Sequence, residues 1–329
     1  MTINTDWLRG CATALVTPFA SDGALDEERL ISLIEYQLAG RVRILVPCGT
    51  TGESATMTEE EDDRVIKLTI EAAHGRARVI AGTGSNATRA AIDNSKRARA
   101  LGADGVLVVA PYYNRPTQEG LYAHFRAVAE SVSDLPVIIY NVPGRSASNI
   151  NAQTTLQLAR DVKNIVAIKE ASGNLVQIME ILRERSKGFR VFSGDDSFAF
   201  PLIALGADGV VSVASNETPE LVSRMVDLAL NGSWDDARRL HFRLLPLMQV
   251  NFIESSPGPV KAALAMMGRI EESLRLPLVP IQGQSRSRLR QVMTELGLLR
   301  TEVRDQRLEV RKSKSVQDKY YEVGSRMKV

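Results

Sequence analysis

The chain has 329 residues, with 41 Lys plus Arg against 39 Asp plus Glu, a formal charge of +2, 44% hydrophobic and 24% charged residues. This is globular composition, long enough to bury a core without disulfides or a structural metal, and its near-neutral balance exerts no general pull on nucleic acid or an anionic membrane. Two cysteines, Cys11 and Cys48, are too few for a disulfide framework. No run reaches the roughly 18 apolar residues of a membrane-spanning helix, and the short stretch Cys11–Val16 is no secretory h-region, so a cytoplasmic protein is expected.

Along the chain, eight short apolar runs recur: Ala12–Thr17, Val42–Cys48, Arg78–Thr83, Gly105–Ala110, Pro136–Asn141, Asn164–Lys169, Phe189–Ser193 and Gly209–Val213. Most are nearly continuous Val, Ile, Leu and Ala, as expected of parallel strands covered on both faces. Helical spacing separates them, for example Leu30, Ile31, Ile34 and Leu38, then Val65, Leu68 and Thr69. Thr58 with Glu61 predicts a capping box, and Thr218–Pro219 predicts a cap before a first-turn proline.

Eight strand–helix units in about 230 residues predict a (β/α)8 TIM barrel over residues 1–230. A doubly wound open sheet would show fewer strands and a reversal in their order. Helical patterns near Trp234–Val250, Pro259–Met267 and Ser285–Leu298 predict a C-terminal helical appendage over 231–299. Residues 300–329 hold nine basic and five acidic side chains, +4, which leaves −2 for the rest. With few large aliphatics, this stretch reads as a solvated basic tail.

Barrel active sites lie at the carboxyl ends of the strands. Those ends here carry Thr50-Thr51-Gly52-Glu53, Tyr112-Tyr113-Asn114-Arg115, Tyr140 to Arg145, Lys169-Glu170 and Gly194-Asp195-Asp196. Lys169 ends an apolar run, where poor solvation disfavours the ammonium and leaves more free amine for attack on a ketone. The alternative is a lysine paired structurally with Glu170 or another carboxylate. The phenol of Tyr140, read as two strand-ends around, could shuttle the protons of imine formation or simply pack. Thr50, Thr51 and Gly52 form either a cradle for a small carboxylate or an ordinary turn. Arg145 is either a bidentate carboxylate clamp or a surface charge.

Rival motifs are weaker. Gly82 to Ala87 matches the dinucleotide fingerprint, but the acidic residue about 20 positions on, Asp104, precedes the next strand instead of ending it. Three scattered histidines (His74, His124, His241) argue against a His-based zinc centre. Asp195-Asp196 reads as a helix cap before it reads as a metal site, and it disfavours a phosphate at that strand end.

In order along the chain stand GTTGESAT (49–56), AGTGSNAT (81–88), PYYNRPTQEGLY (111–122), YNVPGR (140–145), IKEASGN (168–174) and SGDD (193–196). With these motifs, residues 8 to 299 resemble the dihydrodipicolinate synthase family, pyruvate-dependent class I aldolases whose barrel relatives include N-acetylneuraminate lyase. The resemblance implies condensation of pyruvate with L-aspartate 4-semialdehyde in the diaminopimelate route to lysine, with no cofactor and no metal. It implies that Lys169 forms the Schiff base and that Tyr140 is the general acid/base. Thr50 and Tyr113 would be relay partners, Tyr113 reaching a neighbouring subunit's site within a homotetramer, a dimer of dimers. Thr51 would bind the pyruvate carboxylate, Arg145 the semialdehyde's carboxylate, and Val211 would contribute a backbone contact. Other pyruvate aldolases, acting on N-acetylneuraminate or 2-keto-3-deoxy sugar acids, and a non-catalytic pyruvate-binding paralogue are the alternatives.

Feedback-inhibited members bind lysine at the dimer interface, and there Ser54, Ala55, Asn86 and Tyr112 are kept. The acidic partner of the inhibitor's amino group is replaced by Ala90, and two histidine positions hold Glu59 and Asp62. Weak or absent lysine inhibition is therefore expected.

Overall fold

The computed structural model describes residues 3–299; the predicted tail 300–329 lies outside the described residues. Eight parallel strands close into a barrel in chain order: β1 Gly10–Ala14, β2 Ile44–Val46, β3 Arg78–Gly82, β4 Gly105–Val109, β5 Val137–Asn141, β6 Ile165–Glu170, β7 Arg190–Ser193 and β8 Gly209–Ser212. β8 returns to β1 in register, with Ala12 opposite Val211. The predicted barrel is the observed one.

Alternation along each strand builds two cores. Ile44, Val46, Ile80, Leu107, Ile138, Tyr140, Ala167 and Phe192 fill the inside of the barrel. Leu45, Val79, Val106, Val108, Ile139 and Val191 face outward onto the helices. β6 interrupts this rhythm. Its register against β5 jumps between Val137↔Ile165 and Ile138↔Ala167, so Val166 is one residue too many, a β-bulge. Val166 and Ala167 both join the inner core, while Ile165 and Ile168 join the outer one.

The predicted Thr58 capping box is present in full, Thr58 Oγ1 accepting from Glu61 N and Glu61 Oε2 from Thr58 N. The other predicted cap is not. Pro219 opens its helix, but with Thr218 at φ −141° and ψ 68° the hydroxyl makes no capping hydrogen bond. Helices follow the barrel at Trp234–Val250, Gly258–Met266 and Gly283–Glu295. Leu244, Leu247, Ala262, Ala263, Leu289 and Val292 join the same outer core as the strands, so these helices pack on the barrel. No helix of the described residues is long and apolar enough to cross a membrane.

His124, in the helix Gln118–Ser131, is buried; Nδ1 meets Thr88 Oγ1 at 3.0 Å and Nε2 has no partner. Burial pushes it down to about 4 from its ordinary 6.5. A histidine held neutral by the fold stabilises fully above its unfolded value and loses that contribution as pH falls toward the folded value. Stability is therefore expected to drop by about 3 kcal/mol more in the parent than in His124→Gln between pH 6.5 and 4. Urea unfolding of both proteins at several pH values checks this; parallel curves would refute it.

Candidate active site

Inward and outward alternation decides which side chains meet at the carboxyl end of the barrel. Tyr140 on β5 and Lys169 on β6 are register partners, and Lys169 is in turn paired with Phe192 on β7. Tyr140 is thus on the adjacent strand and not two strand-ends away. Both side chains are buried, each 6% exposed, and Lys169 Nζ lies 4.1 Å from the Tyr140 ring centroid. Gly194 makes room for the lysine: a Cβ there would stand 3.1 Å from Lys169 Cε and 2.7 Å from Ala171 Cβ.

Pairing of Lys169 with Glu170 does not occur, because neighbours on a strand point to opposite faces. Glu170 faces outward, accepting from Ser172 N at 2.7 Å, Asn141 Nδ2 at 3.1 Å and Gln177 Nε2 at 3.2 Å. Burial pushes its carboxyl up. Among the described residues the fully buried ion pair is Lys261–Glu53, and Lys169 takes part in none.

A cavity of about 560 Å³ opens here, lined in part by Thr50, Tyr140, Arg145 and Lys169. Ser256 and Leu278, from the chain beyond the barrel, also line it. Arg145 sits exposed on the short helix Pro143–Ser146. Thr51 is buried behind Thr50, and Val211 packs in the barrel interior; neither lines the cavity. Tyr113 does not line it either. It is 89% exposed and left-handed at φ 73°, held by its N–H donating to Ser146 O at 3.3 Å.

The competing motifs have structural explanations. Gly82 and Gly84 let the backbone close up, since a Cβ would fall 2.2 Å from Cys48 O or 2.3 Å from Val109 N. Asp104 binds Arg78 and Val79 N at the opposite end of the barrel. Asp195 accepts from Ser197 N and caps a short turn, while Asp196 accepts from Val213 N and Ala214 N. Among the described residues no group of three or more His, Cys, Asp or Glu is placed to hold a metal ion.

With this geometry in view, the sequence profile described as the Dihydrodipicolinate synthetase family matches residues 7–296. The chain belongs to this family. The 4-hydroxy-tetrahydrodipicolinate synthase of Koribacter versatilis is 51% identical over 294 residues, 89% of this chain and 97% of its own length. The crystal structure of dihydrodipicolinate synthase from Aquifex aeolicus superposes with a TM-score of 0.87 at 45% identity, covering 89% of this chain and all of that one. The chloride-inhibited dihydrodipicolinate synthase of Acinetobacter baumannii, complexed with pyruvate, gives 0.87 at 42% identity over 88% of this chain and 99% of that one.

In this member of the dihydrodipicolinate synthetase family, the cavity continues past Thr50 toward Ser54, Ala55, Ala90 and Tyr112. Ser54 Oγ donates to Asp62 Oδ2 at 2.9 Å, and burial pushes the Asp62 carboxyl up to about 6. Arg97 reaches Glu59 at 3.0 Å and Asp63 at 3.2 Å. Asn86 is engaged through its carbonyl, by Asn114 Nδ2 at 2.8 Å. Lys261 and Arg275 are the residues around the site that sequence reasoning missed; Glu53 and Gly194 were named at the strand ends but given no role. A lone cation in the otherwise uncharged helix Gly258–Met266 was the available signal for Lys261.

Proposed function

We propose that the protein is a lyase of the synthase type, condensing pyruvate, held as an imine on Lys169, with L-aspartate 4-semialdehyde. The observation that carries this reading is the Lys169 amine: buried, without a carboxylate partner, on the cavity wall and against a phenol. Attack of Nζ on the pyruvate ketone carbon, with loss of water, forms the imine. Loss of a methyl proton gives an enamine, whose carbon attacks the aldehyde carbon as the aldehyde oxygen takes up a proton. Attack of the semialdehyde's amino group on the regenerated imine carbon closes the ring and frees the Lys169 amine. Tyr140 moves protons in these steps, with Thr50 and a neighbouring subunit's Tyr113 as relay partners. Thr51 receives the pyruvate carboxylate, Arg145 the semialdehyde's, and Val211 supplies a backbone contact near the imine.

The exposure of Tyr113 supports assembly with a second copy, since a phenol this open serves its own site poorly. Leu175, Val176 and Met179, all exposed on the helix Leu175–Glu184, support a further contact and a homotetramer. Free buried thiols at Cys11 and Cys48 support a reducing, cytoplasmic setting. In this reading the protein works without a cofactor.

Borohydride reduction in the presence of pyruvate, followed by peptide mapping, tests the reading. A pyruvyl adduct on Lys169 is expected, together with faster turnover of aspartate semialdehyde than of N-acetylneuraminate or 2-keto-3-deoxygluconate. An unmodified Lys169 would overturn it. Lysine should inhibit weakly or not at all, because replacing an acidic partner by Ala90 removes about 1.5–3 kcal/mol of charge-assisted contact. Micromolar inhibition in the same assay would contradict this.

A further inference from the structure

Behind the Thr50–Thr51 turn runs a chain of charges that the condensation itself does not use. Glu53, two residues after Thr51, is buried with a left-handed backbone, φ 55° and ψ 30°. Its Oε1 accepts from Lys261 Nζ at 2.5 Å, and its Oε2 accepts from Arg275 N at 3.3 Å. Lys261 has no solvent exposure, and Nζ also lies 4.3 Å from the Phe19 ring centroid. The Arg275 guanidinium stacks on the same ring at 4.2 Å, grips Glu61 through two 2.6 Å bonds and donates to Gly23 O and Thr56 O. On the other side of the turn, Thr17 Oγ1 donates to Gly52 O at 2.7 Å.

We infer that Lys261, acting through Glu53, is a positioning residue that sets the Thr50–Thr51 turn and so the seat of pyruvate's carboxylate. The inference rests on the reading above that this turn binds pyruvate. A buried ion pair is a poor source of stability, since an apolar pair of the same volume often does as well. What it supplies is direction. With both carboxylate oxygens of Glu53 engaged, the left-handed residue has one place to lie, and the two threonines before it inherit that place. The anchors also come from the segment that walls the cavity. Ser256 and Leu278 line it, and Lys261 and Arg275 lie between them in sequence. The helices beyond the barrel thereby become part of the pyruvate seat.

The test uses Lys261→Met, the double variant Glu53→Gln with Lys261→Met, and Arg275→Met in the full chain. Borohydride trapping at increasing pyruvate is read beside the unfolding midpoint. Lys261→Met is expected to raise the half-maximal pyruvate concentration about tenfold while the KM for the aldehyde stays unchanged. The double variant, with no uncompensated charge, is expected to recover the unfolding midpoint but not the pyruvate dependence. A merely structural pair would recover both. An unchanged pyruvate dependence in folded Lys261→Met or in the double variant overturns the inference. If neither folds, Arg275→Met decides by the same measurement, with a shift in the same direction expected and no shift overturning it. Absence of any adduct in the parent protein would instead remove the pyruvate reading, and this inference with it.

Discussion

Lys169→Ala is expected to fold like the parent, to take no pyruvyl adduct under borohydride, and to lose roughly 10⁴-fold or more in condensation rate. Folding should survive because the truncation breaks no ion pair and only enlarges a cavity that already exists. Activity should not, because the amine is the atom that becomes covalently joined to the ketone, and among the described residues lining the cavity no second lysine stands in for it. Glu170 is next in sequence but on the other side of the strand, held by Ser172, Asn141 and Gln177. Circular dichroism and unfolding establish the fold, intact mass reports the adduct, and steady-state turnover gives the rate. A folded Lys169→Ala enzyme retaining a substantial fraction of the parent rate would refute the Schiff-base chemistry.

Tyr140→Phe carries the second large effect, a fall in turnover of about 10²–10⁴-fold with the barrel intact. The ring remains, so the inner core and the ring's contact with the Lys169 nitrogen are preserved; only the hydroxyl goes. The half-maximal pyruvate concentration should change little, while the rate of adduct formation falls. That split separates a proton-transfer role from a packing role. If trapping and turnover both stay at the parent rate, proton movement belongs to another group.

The barrel was legible because all eight strands are buried on both faces and write themselves as apolar runs. Their ends were less so: β2 is paired only over Ile44–Val46, although its run extends from Val42 to Cys48. Lys169 and Tyr140 were legible as polar groups closing such runs. Thr218 failed as a cap because its backbone angles, which the sequence does not state, carry the hydroxyl away. Lys261 and Arg275 went unread because their partners Glu53 and Glu61 lie more than 200 positions away. Gly194 was named at its strand end, but its role went unread because that role is the absence of an atom beside Lys169. Proximity of that kind exists only once the chain has closed.

The extra residue in β6 turns geometry into arithmetic. From Ile165 outward, strict two-residue parity would aim Lys169 at the helices and Glu170 into the cavity; Val166 reverses both. The chemical character of the barrel mouth, amine or acid, is thus decided by an odd or even count three positions upstream of Lys169. A one-residue deletion there would exchange a nucleophile for an anion without altering either side chain.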